Sequence, residues 1–211
     1  MNTMKRFFAF LFDRKLDIDC DIATLTIVST TLLILDAYHN FSGYKEIDRT
    51  ILYLIAPLLV IWLVFRESPS AYGFQLGDWK AGLTITLGAI LLLTPILWMT
   101  ARADPQMKIY YQGWYNPMLP LAAVLELFGW EFFFRGWLLF GYARKFGDHA
   151  LWLQAVPFAL AHISKPELET LSTIFGGFLF GWVALRTKSF LYPFLIHVFV
   201  FTFVVFAVAG G

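Results

Sequence analysis

Gly129-Trp130-Glu131-Phe132-Phe133-Phe134-Arg135-Gly136 sets two ionisable side chains inside an apolar run that extends from Leu119 to Ala143. A charge at membrane depth costs at least about 2.5 kcal/mol, so such a residue marks a functional site by default. Spacing of i,i+4 puts Glu131 and Arg135 on one helical face, where they can pair. Two later apolar runs each carry one histidine, His162 and His197. One carboxylate and two imidazoles in separate hydrophobic helices point to a buried site for proton chemistry or metal binding.

The whole chain agrees with a membrane setting. Of its 211 residues 59% are hydrophobic and 15% charged, with a mean hydropathy of +0.65, whereas a soluble domain carries about 25% charged residues. A net charge of +1 offers no argument for nucleic-acid binding, and the single cysteine, Cys20, forbids an intramolecular disulfide. The fold class expected is all-α, a polytopic transmembrane bundle of seven to eight helices forming one domain over residues 1–211. Seven spans are readable: Ile22–Tyr38, Ile51–Phe65, Ala81–Thr100, Pro117–Ala143, Ala150–Ile163, Leu171–Leu185 and Phe190–Ala209. Ahead of them, residues 1–20 mix Lys5, Arg6, Arg14 and Lys15 with Phe7, Phe8, Phe10, Leu11 and Phe12, the pattern of an interfacial amphipathic segment. An N-terminus on the inside puts ten Lys and Arg residues on inner segments and five on outer ones, which favours a cytoplasmic N-terminus.

Several polar residues have a bland reading beside the functional one. Glu131 and Arg135 can simply neutralise each other, and a lone His162 or His197 is commonly hydrogen-bonded to a backbone carbonyl. Their joint occurrence in separate apolar helices is the stronger signal, because buried polar groups need partners and bundling them supplies these. Glu126 lies five positions before Glu131, about 140° away on an ideal helix, facing another cavity or the membrane edge. Asp36 in the first span is a further buried acid with no partner readable. Gly177 and Gly181, extended by Gly176, read as close helix packing.

Glu131-x-x-x-Arg135-Gly136, then Phe158-x-x-x-His162, then His197 in a late helix resemble the CPBP family, the CAAX protease and bacteriocin-processing intramembrane glutamic endopeptidases. The resemblance covers Trp130 to Phe201, within a motif-bearing half at residues 117–209. It implies an endopeptidase with a bundle of about eight helices and a cavity opening toward the cytoplasm, in which a glutamate and a histidine activate water. Carried over, Glu131 is the general base, Arg135 its orienter, His162 the co-activator of water and His197 the oxyanion donor, with Phe132, Trp137, Phe158 and Phe201 walling a cavity for an apolar segment. Two positions depart from the family's pattern. Trp130 stands where the first of two adjacent glutamates is usual, and Phe201 stands where Asn or Asp follows the last histidine. Glu131 as the base, Glu126 recruited from the preceding turn, and a non-proteolytic relative that binds a peptide or partner protein are the competing consequences. No H-E-x-x-H is present and the resemblance implies a metal-free glutamate mechanism, so no metal is expected, with a zinc site of Glu131, His162 and His197 as the alternative. The expected partners are the lipid bilayer and a membrane-associated protein or peptide substrate, in a bacterial or archaeal inner membrane.

Overall fold

The computed structural model describes residues 3–12 and 16–210, so Arg14 and Lys15 of the expected interfacial segment lie outside the described residues. All the regular secondary structure among the described residues is helical, with no strand. Helix α1 is Thr3–Phe12, with Phe7, Phe8, Phe10 and Leu11 exposed. Helices α2 (Cys20–Tyr38) and α3 (Lys45–Phe65) follow, then α4 (Trp79–Ala103), the short α5 (Pro105–Tyr111) and α6 over residues 119–146. The bundle closes with α7 (Ala150–Leu160), α8 (Glu167–Thr187) and α9 (Leu191–Ala209).

Five of these, α2, α3, α4, α8 and α9, are long and apolar enough to cross a membrane. A sixth crossing is added if Pro105–Trp114 and the helical run beginning at Leu119, bent by 104° from each other, form one broken span. The chain is a multi-pass membrane protein. The helix in the fifth expected span is shorter than a regular membrane crossing, although the chain there runs from one end of the bundle to the other. Helix α7 has 11 residues, a rise of about 16 Å against a hydrocarbon core of about 30 Å. Residues 161–164 turn after it, ahead of Pro166, whose ring disfavours helical backbone at the residue before it.

Ion pairs and caps identify the two ends of the bundle. At one end Asp19 meets Lys145 at 3.1 Å and Arg186 meets Asp78 at 2.9 Å, while Arg144 donates to Glu67 at 2.7 Å. There the Ala81 N–H and the Arg186 guanidinium hold the Asp78 carboxyl below its usual range. At the other end Asp36, closing α2, meets Lys45 at 3.3 Å and Arg49 at 3.4 Å. Arg102 donates to the Gly210 carbonyl at 3.1 Å, and the Tyr111 hydroxyl donates to Glu169 at 2.7 Å. Asp36 thus has the partners its sequence context does not reveal.

Small residues bring α7 and α8 together. A Cβ on Gly177 would sit 3.1 Å from Ala155 Cβ and from the Phe158 ring, and one on Gly181 would sit 2.8 Å from Gln154 Nε2. Gln154 Nε2 donates to the Gly177 carbonyl at 2.7 Å, a bond that needs this approach. The Gly-x-x-x-Gly spacing is therefore a contact within the bundle, and it fixes the helix that carries Phe158 and leads into His162. Gly177→Leu is expected to lower stability by about 1–3 kcal/mol through overpacking. Gly176→Leu, where a Cβ would meet nothing within 4 Å, should leave the melting temperature in detergent micelles nearly unchanged.

Candidate functional site

The site begins with a change of helical geometry. Helix α6 is α-helical over Leu119–Glu131, widens to a π-helix over Phe132–Leu138 and returns to α over Leu139–Phe146. Such widened turns use i→i+5 bonds and occur frequently at functional sites. Every side chain from Phe132 to Leu138 is buried. Glu131 and Arg135, at the edge of this segment, are both fully inaccessible.

Glu131 Oε1 is shared. Arg135 Nη1 donates to it at 3.0 Å and His197 Nδ1, from α9, lies 2.6 Å away. The guanidinium has rings around it, Phe158 at 3.8 Å and Phe180 at 5.1 Å from the carbon at its centre. Among the described residues Arg135 Nε and Nη2 and Glu131 Oε2 have no hydrogen-bond partner. Cation–π attraction supports the charge where hydrogen bonds do not, and it grows when the pair is desolvated.

His162 is buried and is held differently. Its Nδ1 lies 2.7 Å from the Phe158 carbonyl, which can only accept, so Nδ1 carries the proton and a neutral ring keeps its lone pair on Nε2. Each histidine therefore has Nδ1 engaged, one on a carbonyl and the other on a carboxylate. Both rings border a cavity of about 100 Å³ that is also lined by Arg49, Glu126, Trp130, Lys165 and Phe201. Glu131 does not reach this cavity's walls.

A larger vestibule of about 640 Å³ adjoins it, lined by α5 and the turn after it, the first half of α6 and Phe201 of α9. Tyr110, Trp114, Glu126 and Phe201 line both spaces and form their shared wall. Arg49 pairs with Glu126 and lies over the Trp130 ring at 4.9 Å. The cavity thus belongs to the end of the bundle where α2 stops and α3 starts. Because α1 is only 10 residues long, too short to cross a bilayer, a cytoplasmic start of α2 and a cavity open to the cytoplasm exclude each other.

The structure gathers Glu131, Arg135, His197 and Phe158 in one contact cluster, and His162, His197 and Phe201 at one cavity. Phe132 and Trp137 take other places. Phe132 packs on Phe74 and Phe190. Trp137 stacks on Phe65 and Tyr72 and donates Nε1 to Ser29 Oγ at 2.7 Å. Among the described residues no three His, Cys, Asp or Glu side chains are grouped to hold a metal ion. Arg49 and Phe180 are the members that sequence reading left out of the site, and Glu126, there an alternative to Glu131 as the base, lines the cavity. For Glu126 a signal existed: it lies four residues before Trp130, hence on that residue's face of α6.

Residues 112–203, from the vestibule wall to the end of the histidine-bearing stretch of α9, match the family model described as "Type II CAAX prenyl endopeptidase Rce1-like". Over these residues, less than half of the chain, the protein is similar to CAAX-protease-like domains, the class that the motifs resembled. No curated protein and no solved structure matches the chain.

Removing one partner of a buried ion pair costs about 3–5 kcal/mol, because the other charge stays buried. Arg135→Leu is expected to lose stability on that scale in detergent thermal melts. Arg135→Lys should recover little of it, since a compact ammonium cannot reproduce the flat stack on Phe158.

Proposed function

We propose that the chain is an intramembrane endopeptidase that hydrolyses a membrane-associated protein or peptide with water activated at the histidine-lined cavity. The observation that carries this reading is the pair of imidazoles at one recessed cavity, each with Nδ1 engaged and Nε2 without a hydrogen bond among the described residues. Their different partners suit different work. His162, on a neutral carbonyl, accepts a hydrogen bond from the attacking water at Nε2. His197, held at Nδ1 by the Glu131 carboxylate, is the oxyanion donor in its imidazolium form, through Nε2–H. Glu131, expected from sequence to be the base, reaches water only through His197 in this geometry, and Arg135 fixes its carboxylate. Phe158 and Phe201 supply apolar walls.

The family match supports the peptidase reading, and from its description as a CAAX prenyl endopeptidase we take prenylated C-terminal tails as one candidate substrate class. Leader peptides and C-terminal sorting anchors have the same chemistry, an apolar segment beside a scissile amide. The reaction is proposed to need no metal, so a chelator should leave the rate unchanged; zinc-restored activity after chelation would replace this with metal-assisted hydrolysis. A non-proteolytic peptide-binding role is the second reading, favoured by Trp130 and Phe201 at positions where polar residues are usual.

Cleavage of internally quenched peptides of these three classes by the purified protein tests the two readings against each other. Under the peptidase reading His162→Ala and His197→Ala each lose about 100-fold or more, and Glu131→Gln falls with them through loss of His197's partner. Cleavage of none of these peptides by the wild type would leave the binding role.

For topology the charge bias is the guide: the cationic end, with Arg144, Lys145 and Arg186, is proposed to face the cytoplasm of a bacterial or archaeal inner membrane. The cavity then opens on the opposite face. Cys20, exposed at the start of α2, should react with a membrane-impermeant maleimide only after permeabilisation. In a Cys20→Ser background, Asn116→Cys at the vestibule should react in intact cells; the reverse pattern would invert the topology.

A further inference from the structure

The cavity needs a group that takes a proton from water and later gives it to the leaving amine. Glu131 is walled off from the cavity, with Oε1 committed to Arg135 and His197. Trp130, which does border the cavity, has no basic atom, and its indole N–H is buried without a partner among the described residues. The carboxylate that does line the cavity is Glu126.

We infer that Glu126 is the catalytic carboxylate of this site, acting from the turn before Trp130 at the junction of the vestibule and the histidine cavity. Two observations carry this. Glu126 lines both the vestibule of about 640 Å³ and the cavity of about 100 Å³, so it borders both the space that would admit a substrate chain and the space that holds the imidazoles. It is also held from one side by Arg49, which is itself shared with Asp36 and braced on Trp130. Arg49 therefore fixes the direction of the carboxylate, while Asp36 takes part of its charge.

The step balances within the residues present. A water molecule hydrogen-bonded to His162 Nε2 loses a proton to the Glu126 carboxylate as its oxygen bonds to the scissile carbonyl carbon. The carbonyl electron pair moves to oxygen, which His197 stabilises. When the intermediate collapses, the C–N bond breaks and the Glu126 proton passes to the amine nitrogen. The products are a carboxylic acid and an amine, and no co-reactant besides water is consumed.

This inference rests on the peptidase reading, and one set of variants separates the two. The full-length protein in detergent micelles is assayed on the quenched peptides as wild type, Glu126→Gln, Glu126→Asp, Arg49→Gln and the Arg49→Gln/Glu126→Gln double variant, with melting temperatures alongside. Glu126→Gln should lose at least about 100-fold in kcat, in either background at position 49, and Glu126→Asp should recover part of it. Arg49→Gln should stay within about tenfold of wild type. The double variant, in which no charge of the pair is left alone, shows that the loss is not a folding defect. Cleavage by Glu126→Gln within about threefold of wild type overturns the inference and leaves the peptidase reading intact. So does a loss in Arg49→Gln equal to that in Glu126→Gln with recovery in the double variant, since the pair would then be only structural. A wild type that cleaves none of the peptides removes the peptidase reading and this inference with it.

Discussion

A single oxygen, Glu131 Oε1, organises the centre of this bundle. It takes Arg135 from its own helix and His197 from α9, in a place from which solvent is fully excluded. In hydrocarbon there is no water to take over either contact, so α6 and α9 are tied at a fixed register. The cost of placing charges there is offset by the Phe158 and Phe180 rings as well as by the ion pair. Phe158 then links the cluster to His162, because its ring lies beside Arg135 and its carbonyl faces the imidazole.

The histidine cavity depends on that arrangement and on two further constraints. The glycines of α8 let α7 approach closely enough to bring His162 to the depth of Trp130, whose ring lies 5.8 Å from the imidazole. The chain also bends by 104° between Pro105–Trp114 and the run from Leu119. That fold-back sets Tyr110 and Trp114 over the cavity and makes the vestibule beside it. A recessed cavity beside a wider antechamber of mixed polar and apolar lining suits chemistry on a membrane-associated chain.

Much of this was legible one helix at a time. Hydropathy marks the spans, the i,i+4 spacing pairs Glu131 with Arg135, and Gly177 with Gly181 announces a close helix contact. Single-helix reasoning fails where a neighbour decides the outcome. Trp137 is consigned to the interior by Ser29, Phe65 and Tyr72, all distant in sequence. Glu126 is turned into a cavity residue in company with Arg49, from α3. The angle of Glu126 to Glu131 was sound, but the useful reference was Trp130, the residue of α6 that borders the cavity.

Composition and pattern by themselves determined that the chain is a multi-pass helical membrane protein with a few costly polar residues that must find one another. This follows because hydrocarbon accepts only backbone satisfied within helices and penalises every unpaired charge. Only the tertiary structure decided which of those residues meet at a cavity and which are sealed behind its wall. The physical reason is that side-chain accessibility depends on the register between helices, set here by the Glu131–His197 contact and the approach of α7 to α8, and no periodicity within one helix encodes that register.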